Sequence, residues 1–185
     1  METNGKESKK CLFIDLDGTL IVTQSGKPFP RGIWDMKLRY EVLDAIKALQ
    51  PEFVGIVTNQ GGIEAGHVDI DSFIIKINYI CTAVEEYTGV LTDYTLCATN
   101  NPNHTDRKPN TGMLQRLNCI HGDDNGNRYG PWTKEQCLMV GDASGLEGQF
   151  SDSDRRTAEN YGCDYMDVEE FVQRYGILKG KEGTL

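Results

Sequence analysis

The chain has 185 residues, of which 38% are apolar and 25% charged, and its formal net charge is −9. That length and apolar share suit one globular domain with a real core and argue against a disordered chain. The acidic balance excludes a general nucleic-acid or anionic-membrane coat and leaves room only for a local basic groove.

The six cysteines (Cys11, Cys81, Cys97, Cys119, Cys137 and Cys163) are spread out, with no CxxC or CxC pair. They read as reduced core residues, and no cysteine-based zinc site is expected. The first ten residues, METNGKESKK, lack an apolar signal region, and no stretch approaches the ~18–20 apolar residues needed to cross a bilayer. The expectation is a cytoplasmic protein with no membrane partner. Residues 1–10 read as a polar tail, 11–178 as a single domain and 179–185 as a C-terminal tail.

In chain order, Cys11–Ile14 reads as a short buried strand ending at Asp15. Residues 18–36, with Gly26, Pro28, Pro30 and Gly32, read as a loop or flap without regular structure. Leu38, Val42, Ile46 and Leu49 have helical spacing over 37–50, and Pro51 closes that helix. Phe53–Val57 is a second apolar run ending at Thr58-Asn59. The longest amphipathic segment, about 69–88, carries Ile70, Phe73, Ile74, Ile77, Ile80, Cys81 and Val84, with Gly89 as terminator.

Tyr94–Ala98 is a third strand candidate, and a short helix is expected from Thr111 to Ile120. Residues 121–134 (HGDDNGNRYGPWTK) form a turn-rich loop, with Tyr129 and Trp132 anchoring it. Its DDNGN stretch lacks the register of a calcium loop and reads as turn chemistry. Leu138–Val140 is a fourth run, ending at Gly141-Asp142. A helix over 153–161 is expected to be capped by Ser151 or Ser153 and stopped by Gly162. Asp164–Met166 then gives a fifth strand, and Asp167-x-x-Glu170 a capping box for a last helix ending at Gly176.

Apolar strand runs alternating with helical runs predict a mostly parallel sheet covered on both faces. In such sheets ligands bind at the carboxyl ends of the strands. Asp15 and Asp17, Thr58 and Asn59, Lys108, and Asp142 all fall there. Asp15, Asp17 and Asp142 are hard oxygen donors suited to magnesium, and the cation would offset carboxylates that otherwise repel one another. With Lys108 they suit a phosphoryl group. One carboxylate can attack phosphorus, and a second, two residues on, can protonate the leaving oxygen. Thr58, Asn59 and the loop amides around Gly18 and Thr19 can hold phosphoryl oxygens.

DLDGT at 15–19, TN at 58–59, KP at 108–109 and GD at 141–142 resemble, in order, the four motifs of haloacid-dehalogenase-type phosphohydrolases. The resemblance covers about 11–163. It implies a haloacid-dehalogenase-like, Rossmannoid three-layer α/β/α sandwich. It also implies Asp15 as nucleophile, Asp17 as general acid and base, Thr58 as phosphate binder and Lys108 as charge stabiliser. Magnesium would be held by Asp15, the backbone carbonyl of Asp17, and Asp142. Aspartate at 17 favours phosphatase chemistry over dehalogenation. The short spans between motifs imply a capless or minimally capped enzyme.

TNQGGI (58–63) and RKPNTGM (107–113) are similar to the subgroup of polynucleotide 3′-phosphatases, histidinol-phosphate phosphatases and heptose-bisphosphate phosphatases. CATNNPNHTDRKP lacks the cysteine and histidine set of the zinc-loop members. GDASG with FSDSDRRTAENYG (150–162) is similar to polynucleotide kinase 3′-phosphatases, with Leu146 and Thr157 departing from that pattern. No P-loop is present, so no kinase half is expected in this chain.

The resemblance implies a phosphate-ester substrate at a DNA or RNA 3′ end, a role in DNA repair, and Arg107, Arg155 and Arg156 as candidate phosphate contacts. Arg155 and Arg156 read first as solvated helix charges. Asp152 and Asp154 read as helix caps ahead of metal support, and His67, His104 and His121 as surface residues. The alternatives are a small-molecule phosphatase and a non-catalytic binding module.

Overall fold

A computed structural model describes residues 8–27, 30, 32–149 and 151–176. Most of both expected tails, and Pro28 of the flap, lie outside the described residues. The strands are β1 (Cys11–Ile14), β2 (Ile21–Thr23), β3 (Met36–Leu38), β4 (Phe53–Asn59), β5 (Leu91–Cys97), β6 (His121–Gly122), β7 (Arg128–Tyr129), β8 (Cys137–Gly141) and β9 (Asp164–Asp167). The helices are α1 (Tyr40–Leu49), α2 (Gly61–Glu64), α3 (Ile70–Thr88), α4 (Gly112–Leu117), α5 (Ser153–Tyr161) and α6 (Val168–Tyr175).

The central sheet has the order β5-β4-β1-β8-β9, and every pairing in it is parallel. β1 is therefore the middle strand, and its residues alternate between two cores. Leu12 and Ile14 pack with α1, α3 and α6 through Val42, Ile46, Phe73, Ile77, Ile80 and Phe171. Cys11 and Phe13 pack on the other face with Met113, Leu114, Ala158 and Tyr161 of α4 and α5. Both faces are covered, so the α/β/α sandwich expected from the sequence is what forms. Burying each large aliphatic side chain of this kind contributes about 1.5–3 kcal/mol.

The 18–36 segment departs from its expectation. β2 and β3 pair antiparallel, with Ile21 opposite Leu38, and a 3-10 turn at Ile33–Asp35 leads into β3. Ile21 is fully buried, and the buried Asp35 carboxylate accepts 2.8 Å bonds from the Ser25 amide and hydroxyl. These contacts turn a Gly/Pro-rich loop into a short flap. Because β3 uses Met36–Leu38, α1 starts at Tyr40. The third strand starts at Leu91, ahead of the expected Tyr94, because Thr92 pairs with Val54. α4 is shorter than expected and ends at Leu117.

Within 121–134 a two-residue hairpin forms. Asp123 organises it by accepting from the amides of Asn125 (3.0 Å) and Asn127 (2.8 Å). Trp132 anchors the loop, stacked on Phe53 with its indole N–H 2.8 Å from Glu52. His121, expected at the surface, is half-buried and stacks on Phe53 at 4.0 Å between centroids. Cys119, expected in the core, is exposed. Among the described residues no helix is long and apolar enough to cross a membrane.

Candidate active site

The chain leaves β1 with Asp15, whose amide still donates to Val140 of β8 at 2.9 Å. Leu16 is fully buried, and its carbonyl accepts from the amides of Thr19, Leu20 and Ile21. That tight turn sends Asp15 and Asp17 out on either side of a buried leucine. Gly18 completes it at φ +87°, where a Cβ would also collide with the Asp142 carboxylate. Arg39 clamps the turn from outside, with Nη1 3.0 Å from the Gly18 carbonyl and Nη2 2.8 Å from Glu169.

Lys108 reaches the same point from the loop after β5. Asn59, the last residue of β4, brackets its backbone: the Lys108 amide donates to Oδ1 at 3.0 Å, and Nδ2 donates back to the Lys108 carbonyl at 3.2 Å. The Lys108 ammonium donates to Asp15 Oδ1, to Asp154 Oδ1 at 2.7 Å and to the Val57 carbonyl at 3.2 Å. Burial works against its charge, but Asp15 and Asp154 outweigh burial and hold it protonated, above the ordinary lysine range. Burial pushes the Asp15 carboxyl up; Lys108 pulls it down and Asp154 adds to the rise, leaving it at about 8. Burial and Asp154 likewise raise Asp142.

Carboxylate oxygens of Asp15, Asp142 and Asp154 all lie within 4.8 Å of one another. With all three ionised, as a bound cation requires, the carboxylates face one ammonium among the described residues, that of Lys108, and carry two negative charges beyond it. A hard, divalent cation with oxygen preference fits both the donor set and the charge. Magnesium held by these residues would neutralise the cluster and polarise a phosphoryl oxygen.

On the other side of the turn, Gln60 Nε2 donates to Asp17 Oδ2 at 2.7 Å and lies 2.8 Å from Thr58 Oγ1. This amide orients the two side chains expected to handle the leaving oxygen and the phosphoryl group. Asp17 Oδ1 and Thr19 Oγ1 are buried and have no hydrogen-bond partner among the described residues. Unmet buried groups of that kind are costly and mark where a ligand would complete the network.

The structure thus brings Asp15, Asp17, Gly18, Thr19, Thr58, Lys108 and Asp142 together. Two expected binding residues behave as braces. Both ends of the Asn59 amide are used on the Lys108 backbone, and Arg107 Nη1 donates to the Thr99 carbonyl at 2.8 Å. Asp154 is the main correction. The helix cap is Asp152, whose side chain makes no capping bond, while the Ser151 hydroxyl accepts from the Ser153 amide at 3.2 Å.

Asp154 instead turns inward at 1% exposure, gripping Lys108 and accepting from the Ala143 amide at 3.1 Å. Helical spacing carried the signal, since Asp154 is in phase with the buried Ala158 and Tyr161. A Cβ on Gly141 would collide with Asp154, which explains glycine before Asp142. Gln60 and Arg39 were missed as well, because the DLDGT residues they meet, Asp17 and Gly18, are distant from them in sequence. Arg155 spans Ser144 and Glu159, in keeping with a helix charge.

Residues 10–172 match the family described as polynucleotide kinase 3 phosphatase. The chain is 30% identical over 178 residues to an uncharacterized 20.8 kDa protein of Autographa californica nuclear polyhedrosis virus, covering 92% of this chain and 89% of the viral protein. It is 32% identical over 184 residues to the bifunctional polynucleotide phosphatase/kinase of Schizosaccharomyces pombe, covering 94% of this chain but only 40% of the yeast protein.

Two crystal structures share the fold. One is the D,D-heptose 1,7-bisphosphate phosphatase of B. bronchiseptica, complexed with magnesium and phosphate (TM-score 0.61, 22% identity, 95% of this chain and 90% of that one). The other is a haloacid-dehalogenase-like phosphatase of Mesorhizobium loti (TM-score 0.62, 23% identity, 92% and 88%). With its sheet, its acidic cluster and this match in hand, the chain belongs to the polynucleotide kinase 3 phosphatase family.

Proposed function

We propose that the chain is a magnesium-dependent phosphomonoesterase that removes 3′-phosphate from nucleic-acid ends. The observation that carries this reading is the joint placement of Asp15, Lys108, Asp142 and Asp154 at the end of the middle strand, in a chain matching that family over residues 10–172.

An Asp15 oxygen attacks phosphorus while the bond to the sugar oxygen breaks, and Asp17 delivers a proton to that oxygen. Asp17, now a carboxylate, takes a proton from water as the water oxygen attacks the aspartyl-phosphate. Inorganic phosphate leaves, Asp15 is restored as a carboxylate, and Asp17 is again protonated. Lys108 fixes the Asp15 carboxylate and offsets charge on the phosphoryl oxygens. Thr58 and the Gly18–Thr19 turn hold those oxygens.

A nucleic-acid end is supported further by the shape of the approach. The flap borders an open cavity of about 250 Å³ lined by Asp17, Gly18, Ile21, Val22, Thr23, Gly26, Lys27 and Pro30. Trp34 on the flap is 68% exposed, which suits stacking on a base. The same cavity would also admit a small phosphomonoester such as a sugar bisphosphate. Turnover of a 3′-phosphorylated oligonucleotide compared with sugar bisphosphates tests the choice. The proposal predicts preference for the oligonucleotide, and no oligonucleotide turnover at any salt concentration would refute it.

A further inference from the structure

After β2 the flap turns over Gln24–Lys27, and that turn is tied down at several points. The Gln24 amide donates to the Asp35 carbonyl at 2.8 Å, and the Ser25 amide and hydroxyl each donate 2.8 Å bonds to the buried Asp35 carboxylate. The Thr23 hydroxyl donates to the Lys27 carbonyl at 2.6 Å, and Gly26 at φ +72° supplies the left-handed step just before it. The backbone of Lys27 is thus held in place while the residue itself stays exposed. Among the described residues its ammonium has neither a hydrogen bond nor an ion pair.

An exposed lysine is ordinarily a solvated charge, and its place in the fold separates Lys27 from that case. The open cavity of about 250 Å³ beside the flap is lined by Asp17 and Gly18 of the catalytic turn and also by Lys27. Lys27 is the one cation among its described lining residues, and Ile21, Val22 and Pro30 supply an apolar wall. Asp17 is the acid assigned to the leaving oxygen, so the group attached to that oxygen has this cavity to occupy. Lys37 makes the natural contrast. It is exposed on the same flap, directly opposite Val22, and does not line the cavity.

We propose that Lys27 receives the phosphodiester next to the scissile 3′-ester, with the intervening sugar against Ile21, Val22 and Pro30, and so makes the site read a strand end in preference to an isolated monoester. This rests on the substrate reading given above. In a nucleic-acid strand that diester sits on the same sugar as the leaving oxygen, so it always enters the space beside Asp17. An exposed contact of this kind is worth about three- to fivefold in affinity. Because it neutralises one phosphate, it also adds about 0.7 to the slope of log affinity against log salt on a single strand.

The test measures affinity on Asp15→Asn protein with magnesium, where binding proceeds without turnover. The ligands are thymidine 3′-phosphate, the same nucleotide bearing a methyl phosphodiester at its 5′ oxygen, and a 3′-phosphorylated oligonucleotide. Each is titrated with Lys27 intact and in Lys27→Met, Lys27→Arg and Lys37→Met, all changes at exposed positions that leave the fold in place. With Lys27 present, the diester is expected to bind about three- to fivefold more tightly than the plain nucleotide. Lys27→Met should abolish that difference and flatten the salt slope of the oligonucleotide by about 0.7. Lys27→Arg should restore both, and Lys37→Met should keep the difference.

No preference for the diester with Lys27 present, or an unchanged preference in Lys27→Met, would overturn the inference. So would equal weakening of nucleotide and diester by Lys27→Met, or equal losses from Lys27→Met and Lys37→Met. Failure of the protein with Asp15 intact to release phosphate from the oligonucleotide would instead overturn the nucleic-acid reading, with the diester-to-nucleotide affinity ratio still reporting on Lys27.

Discussion

Asp154 and Lys108 meet at 2.7 Å although 46 residues separate them, and both are buried to 5% exposure or less. The contact holds the Lys108 ammonium against Asp15. Removing one partner of a buried pair leaves an uncompensated charge, at a cost of about 3–5 kcal/mol. Asp154→Ala should lose stability on that scale in urea unfolding. Asp154→Asn keeps an acceptor for Lys108, should stay folded, and should lower kcat on the order of a hundredfold. An unchanged kcat for Asp154→Asn would confine Asp154 to structure.

Gln60 ties Asp17 to Thr58 through one nitrogen. In Gln60→Ala, Asp17 keeps its identity but loses its orientation. kcat should then fall about ten- to a hundredfold on alkyl phosphates. The loss should be smaller on an aryl phosphate, whose phenolate leaves without help from an acid. Equal losses on both ester types would show that Gln60 serves the phosphoryl group and not the proton transfer.

In metal-free protein, Asp15 sits at about 8 because of burial and its acidic neighbours. Between the ordinary carboxylate range and about 8 the folded chain keeps a proton that the unfolded chain has lost. Stability should therefore fall as pH rises through that window, and level off above it. Magnesium should raise Tm most at the alkaline end, and Asp15→Asn should flatten the decline. A pH-independent Tm in EDTA, with no gain from magnesium, would remove the charge argument for the cation.

The sheet was legible because Cys11–Ile14, Phe53–Val57 and Leu138–Val140 are apolar runs that each end in a polar pair. Asp15, Asp17, Thr58 and Asp142 follow directly from those strand ends, and Lys108 from the loop beside them. Asp154 was not assigned to the site, since an acid near a helix start has an ordinary capping reading. Only its phase with the buried face of α5 tells it apart, and that phase is decided by packing. The flap was misread because Gly26, Pro30 and Gly32 outweigh three-residue strands in any local reading, whereas Ile21 and Asp35 settle it through burial.

The most direct measurement is release of inorganic phosphate from a 3′-phosphorylated oligonucleotide, with magnesium and with EDTA, by wild type and Asp15→Asn. The wild type should release phosphate only with the divalent cation, and Asp15→Asn should release none while retaining the wild-type circular dichroism spectrum. Full activity in EDTA, or phosphate release by folded Asp15→Asn, would contradict the account.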